Sequence, residues 1–323
     1  MIAPWITYRP AIKVLDCTIR DGGLVNNHQF SDDFVRGVYQ MCVDAGVDYM
    51  EIGYKGSEKC FDHSKYGAWK FCKEEDVRRI VGENNTPLKL SAMIDAGGKT
   101  DWTTDVLPKS ESVFDVMRVA FYVHQLPEAL EMIQDASDKG YETWSNIMAV
   151  STVSEIELDQ ALNALAQSPV ATICVVDSYG SMYAEQIEYL VKKYLQFSCD
   201  SGKEVGIHAH NNQQLAFANS IEAIIHGANR IDASLGGLGR GAGNCPMELI
   251  LGFLRNPKFK LRAVYHALQY VLLPLKKTVE WGPYPEYNLT GQFNLHPRDA
   301  IEAREGELCD RYGEFYDKIV TRE

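Results

Sequence analysis

Residues 205–211 read Val205-Gly206-Ile207-His208-Ala209-His210-Asn211, an apolar run that closes on two histidines one residue apart. In a β-strand residues i and i+2 face the same side, so both imidazoles leave the strand's end in one direction. Far upstream a second apolar run, Ala11 to Thr18, closes with Arg20-Asp21-Gly22-Gly23. One carboxylate with two imidazoles is a divalent-metal site with open positions for substrate. Arg20 stands beside it as a fixed cation.

Working outward, β-rich apolar runs recur at Ile12–Thr18, Tyr49–Tyr54, Leu88–Asp95, Val113–Val123, Thr143–Val150, Ala171–Ser178, Val205–His210 and Arg230–Leu235. Between them helical periodicity is expected over Asp32–Ala45, Ala68–Val81, Leu126–Lys139, Ser154–Ala166, Tyr183–Phe197 and Gln214–His226; Gly98 to Ser110 carries little helical signal. Ser31 before Asp32-Asp33, and Ser154 with Glu157 three residues on, read as helix caps. Gly46, Gly140, Gly202 and Gly227 read as helix ends. Strands separated by such helices pair in parallel through crossovers. The pattern predicts a closed TIM (β/α)8 barrel over residues 1–255, with an open doubly wound sheet as the alternative.

From about Asn256 the rhythm is lost. Phe259–Thr278 and Asp299–Lys318 read as helical, separated by the aromatic, proline-rich Trp281–Asn288 and by His296-Pro297-Arg298-Asp299. Residues 256–323 are therefore read as a helical C-terminal extension.

Composition narrows the partners. The chain has 323 residues, 46% hydrophobic and 24% charged, with a formal net charge of −12. That balance excludes a basic nucleic-acid face, and no run approaches the ~18 apolar residues of a membrane span. The N-terminal MIAPWITYRP lacks the charged and apolar regions of a signal peptide. Eight cysteines (17, 42, 60, 72, 174, 199, 245 and 309) form no C-x-x-C pair. In a chain this long they read as reduced thiols in a cytoplasm.

In such a barrel the active site lies at the C-terminal ends of the strands, and alternate strands supply each layer of inward side chains. Asp21 follows the first strand and the histidines end the seventh, with only the eighth between them, so the three meet over the mouth. The bland alternatives are a turn residue before two glycines and two polar strand-end residues. For Arg20 the alternative is a salt bridge to Asp16 or Glu51. Glu51, Tyr54 and Lys55 end the second strand and are expected at the mouth, where Lys55 would suit an anionic substrate. Ser178, after the sixth strand, is a substrate contact or a helix cap.

Leu15-Asp16-Cys17-Thr18-Ile19-Arg20-Asp21-Gly22 resembles the D-x-T-L-R-D-G signature of the DRE-TIM metallolyase superfamily. Gly206–Asn211 resembles that family's seventh strand, and Ala233–Asn244 its eighth-strand loop. Met50–Tyr54 and Val176–Gly180 also fall in family-like places. The resemblance spans about residues 12–255. It implies a TIM barrel, a divalent ion (Mn2+ or Mg2+, with Zn2+ a third option), and carbon–carbon bond chemistry through an enolate of a 2-oxo acid. It further implies that Arg20 stabilises the enolate and that Asn244 approaches the metal. The glycine-rich loop with Arg240 has tight turns or phosphate binding as its other readings. Helical additions on such barrels cover the mouth or support dimers and partner docking, so a homo-oligomer and an aldehyde dehydrogenase partner are expected.

The branch it resembles most is the 4-hydroxy-2-oxovalerate aldolase type. The alternatives are a Claisen-type transferase joining acetyl-CoA to a 2-oxo acid, or a metal-binding barrel whose catalysis is lost or partner-dependent. A facial-triad iron oxygenase shares only the ligand set. The synthases carry glutamate and glutamine after R-D-G, where this chain has Gly23-Leu24. The aldolases carry a catalytic histidine three residues after the metal aspartate; here it is Leu24, which moves no proton. His28, Tyr54, Lys55, Tyr287, His296 or metal-bound water are the candidate replacements, and a related but different substrate is expected.

Overall fold

The computed structural model describes residues 9–321; the Met1–Tyr8 stretch of the N-terminal reading lies outside them. Eight strands close a parallel barrel in sequence order, β8 pairing with β1. They are β1 Lys13–Asp16, β2 Tyr49–Tyr54, β3 Lys89–Asp95, β4 Val116–Phe121, β5 Glu142–Ile147, β6 Thr172–Asp177, β7 Glu204–Ala209 and β8 Arg230–Ala233. Outside them lie α1 Asp32–Ala45, α2 Glu74–Val81, the single turn α3 Trp102–Asp105, α4 Leu126–Asp138, α5 Glu155–Gln167, α6 Ala184–Ser198, α7 Ala216–Ile225 and α8 Met247–Leu254. The TIM barrel is the fold, not the open sheet. Among the described residues no helix is long and apolar enough to cross a membrane.

The strands alternate between two cores. Val14, Met50, Met117, Ile173, Ile207 and Ile231 face the helices, in the large cluster that includes Val35, Val38 and Leu162. Leu15, Tyr49, Val116, Trp144 and Cys174 point inward and fill the barrel floor. The expected caps form: Ser31 accepts from the Phe34 N–H, and Ser154 and Glu157 make a capping box.

Three helical expectations are corrected. Ala68–Val81 is a short 3-10 turn at Ala68–Lys70 followed by α2. Cys72 turns left-handed at φ 41° and Lys73 is extended, while Trp69 anchors the turn by donating to the Phe30 carbonyl at 3.1 Å. The Phe259–Thr278 helix runs as α9 Leu261–Ala267, a π turn at Leu268–Leu272 and α10 Leu273–Leu275. Pro274 lacks the N–H of a regular turn. Beyond α11 Pro285–Gln292, the Asp299–Lys318 segment splits into α12 Arg298–Glu305 and α13 Tyr312–Val320, with extended Gly306 and left-handed Asp310 between them. These last helices build a small core of their own around Tyr287, Ala300, Ala303, Phe315 and Ile319.

Candidate metal centre at the barrel mouth

Strand phase brings the predicted trio together. Asp21 Oδ1 lies 3.8 Å from His208 Nε2 and 3.9 Å from His210 Nε2, all three residues buried. A single ion ~2.0–2.3 Å from each atom spans gaps of this size. The ring orientation is fixed from behind: His208 Nδ1 lies 2.9 Å from Asp232 Oδ2. Asp232 resists protonation; burial would raise its carboxyl, but Arg118 and His208 outweigh that and hold it below the usual range. A carboxylate only accepts, so Nδ1 carries the proton and Nε2 the lone pair. That buried Nε2 has no hydrogen-bond partner among the described residues. The donor set fits a divalent ion.

Asp21 is held on both oxygens. Arg20 Nη1 donates to Oδ1 at 2.6 Å, while the Arg240 N–H (3.2 Å) and Asn244 Nδ2 (2.9 Å) donate to Oδ2. Burial favours its neutral form, yet the positive charges beside it, Arg20 and Arg240 among them, hold the carboxyl far below its ordinary value. Burial pushes the His210 ring down as well, leaving a neutral imidazole. The β8 loop can reach Asp21 because Gly239 has no side chain: a Cβ there would sit 2.7 Å from Asp21 Oδ2 and 2.3 Å from Asn244 Nδ2.

Beneath the trio runs a chain of buried charges. Arg20 Nε donates to Glu51 Oε2 at 2.6 Å, Arg118 Nη1 donates to the same oxygen at 2.9 Å, and Arg118 Nη2 donates to Asp232 Oδ2 at 2.6 Å. Asp21, Glu51 and Asp232 thus alternate with the guanidiniums of Arg20 and Arg118. Arg20 makes the Glu51 bridge of its alternative reading and still lines the mouth, its Nη2 without a hydrogen-bond partner among the described residues.

A small cavity of about 90 Å³ opens over these groups, lined by Arg20, Leu24, Tyr54, Asp95, Ser178 and Arg240 together with the trio. Ser178 lines it; its Oγ accepts from the Ala149 N–H at 2.8 Å, and α6 starts too far on for it to be a cap. Asn244 is placed against Asp21. Two substrate-binding expectations are corrected. Glu51 is fully buried below the mouth and braces Arg20 and Arg118. Lys55 turns away, donating to the Cys72 carbonyl at 2.8 Å and pairing with Glu74 at 3.3 Å. The cause is a register shift between Glu51 and Gly53: the bulge aims Tyr54 into the mouth and Lys55 out of it.

The other base candidates stand outside the cavity wall. His28 is buried in the space that Gly23 leaves open, edge-on to Tyr54 at 5.3 Å. Tyr287 packs in the C-terminal core, and His296 sits edge-on to Tyr179 at 5.6 Å. Residues that sequence reasoning missed are Asp95, Arg118 and Asp232, each in the inward phase of its strand.

Comparison with known proteins agrees with this architecture. The chain is 28% identical over 245 residues to 4-hydroxy-2-oxovalerate aldolase 1 of Mycobacteroides abscessus, covering 75% of this chain and 66% of that protein. It is 26% identical over 271 residues to the 4-hydroxy-2-oxovalerate aldolase of Geobacillus genomosp. 3, covering 83% and 78%. The N-terminal domain of a Bacteroides vulgatus protein assigned as an aldolase superposes with a TM-score of 0.75 at 25% identity, over 90% of this chain and 96% of that one. The HMGL-like family model matches residues 11–271, and the chain belongs to the HMGL-like family.

Proposed function

We propose that this chain is a divalent-metal-dependent aldolase or lyase that cleaves, or forms, a carbon–carbon bond next to a 2-oxo acid through a pyruvate-type enolate. The observation that carries the reading is Asp21, His208 and His210 meeting beside Arg20 in one cavity. The aldolase names of its relatives support it. Mn2+ or Mg2+ suits the carboxylate and open positions, and Zn2+ the imidazoles. A bound ion supplies Lewis acidity toward substrate oxygens.

The protein's own groups do the rest. Arg20 keeps an Nη2 donor without a partner among the described residues and stabilises the oxygen on which charge develops, a role often worth ~3–4 kcal/mol for one donor. Glu51 and Asp21 fix the plane of its guanidinium. Asn244 and the Arg240 N–H orient the Asp21 carboxylate, and Tyr54 and Ser178 line the substrate's place. A cavity this small takes a small 2-oxo or hydroxy-oxo acid. Leu24 stands where the aldolases carry a histidine, so the substrate differs from 4-hydroxy-2-oxovalerate.

We read the chain as cytoplasmic, supported by the free thiols of Cys17, Cys42, Cys72 and Cys245. A homo-oligomer is supported by the exposed Leu249, Tyr265, Tyr270 and Leu273, with an aldehyde dehydrogenase as the partner that would consume the aldehyde. The test of the function is pyruvate release across aldol substrates with added Mn2+, Mg2+ or Zn2+, beside a CoA-release assay. Pyruvate without CoA release is expected; CoA release from acetyl-CoA and a 2-oxo acid would move the chain to the Claisen-type transferases.

A further inference from the structure

Leu24 lines the cavity and has no proton to give or take. Besides the Asp21–His208–His210 trio and the two arginines, the ionisable groups of the wall are Tyr54 and Asp95. Burial holds the Tyr54 phenol well above its usual range, so it is no base at neutral pH. Asp95 ends β3 two residues after Met93, another wall residue, so both face the mouth. Its N–H donates to Thr100 Oγ1 at 3.0 Å and fixes the strand end. Its carboxyl makes no ion pair or hydrogen bond among the described residues.

We propose that Asp95 is the proton carrier of the aldol step, in the role that Leu24 leaves empty. The proposal rests on the aldolase reading above. In cleavage the Asp95 carboxylate takes the proton of the substrate's 4-hydroxyl. The O–H electron pair becomes the second bond of the departing aldehyde's carbonyl, and the C3–C4 bond breaks. Its electron pair passes into the enolate of pyruvate, whose oxygen faces Arg20. Asp95 then returns the proton to C3, which yields pyruvate and regenerates the carboxylate. No co-reactant is needed. Burial raises the Asp95 carboxyl, partly offset by Lys70, Lys99 and Arg20 and reinforced by Glu51. A raised carboxyl is a better match to a base working near neutral pH.

The test follows exchange of the C3 protons of pyruvate in D2O by NMR, with the full-length protein and added Mn2+, beside pyruvate release from aldol substrates. Exchange uses the same proton carrier and needs no knowledge of the aldehyde. Asp95→Asn is expected to slow exchange ~10²–10⁴-fold with pyruvate affinity little changed. Asp95→Ala is expected to regain rate when formate is added. Exchange by Asp95→Asn at the wild-type rate overturns the assignment and leaves the aldolase reading standing. Slow exchange without formate rescue, accompanied by lost pyruvate binding, also overturns it, since Asp95 is then structural. If the wild-type protein neither exchanges nor releases pyruvate, the aldolase reading falls and this proposal with it.

Discussion

Nδ1 of His208 donates to Asp232 Oδ2 at 2.9 Å, and the same oxygen accepts from Arg118 Nη2 at 2.6 Å. The bond settles which imidazole nitrogen faces the mouth. It also joins the candidate metal ligands to a run of buried charges that continues through Arg118 and Glu51 to Arg20 and back to Asp21. Stability and site geometry are therefore carried by the same side chains.

Asp232→Asn removes the acceptor that fixes the His208 tautomer. Metal affinity is expected to fall ~10–100-fold, the usual cost of losing such a partner. A Mn2+ titration followed by EPR checks this, and an unchanged dissociation constant would show that Asp232 serves only Arg118.

Arg20→Lys keeps the charge and loses the planar fork that reaches Glu51 and Asp21 together. Steady-state kinetics should show kcat falling far more than KM changes, because the proposed interaction with the enolate oxygen would strengthen in the transition state. Equal kcat values would make Arg20 a purely structural bridge.

Arg118 is fully buried between two carboxylates, its guanidinium 5.3 Å from the Trp144 ring. Arg118→Met leaves Glu51 and Asp232 without that cation, and breaking a buried pair in this way costs ~3–5 kcal/mol. Thermal unfolding should show a marked drop in Tm. A variant as stable as wild type would mean that the two carboxyls take up protons at no cost.

Asp16 is buried, and burial raises its carboxyl to about 7 despite hydrogen bonds from Thr18. Between its unfolded value of 3.8 and that figure, the folded chain binds more protons than the unfolded one. Stability from this group is therefore lost as pH rises through that window. Wild-type Tm relative to Asp16→Asn is expected to fall from pH 5 to pH 8. A constant or rising difference contradicts the assignment.

The barrel and the meeting of Asp21, His208 and His210 were legible because both depend on periodicity. Strand–helix alternation sets the fold, and the two-residue phase of His208 and His210 sets their shared direction. Arg118 and Asp232 carried a signal that was passed over: a charge in the inward phase of a buried strand. Lys55 was misplaced because the bulge after Glu51 shifts the phase by one residue, and no periodicity shows a bulge. Asp95 sat in plain view at the end of β3, but only the closed ring brings it into one cavity with Arg20, His208 and His210.

The most direct test strips the protein with a chelator and follows pyruvate release from 4-hydroxy-2-oxo acids before and after Mn2+ or Mg2+ is restored, with His208→Ala as the control. Release is expected to vanish on stripping, to return with the ion in wild type, and to stay absent in the folded variant. Release that survives stripping, or that His208→Ala performs as well as wild type, would contradict a metal-dependent lyase built on Asp21, His208 and His210.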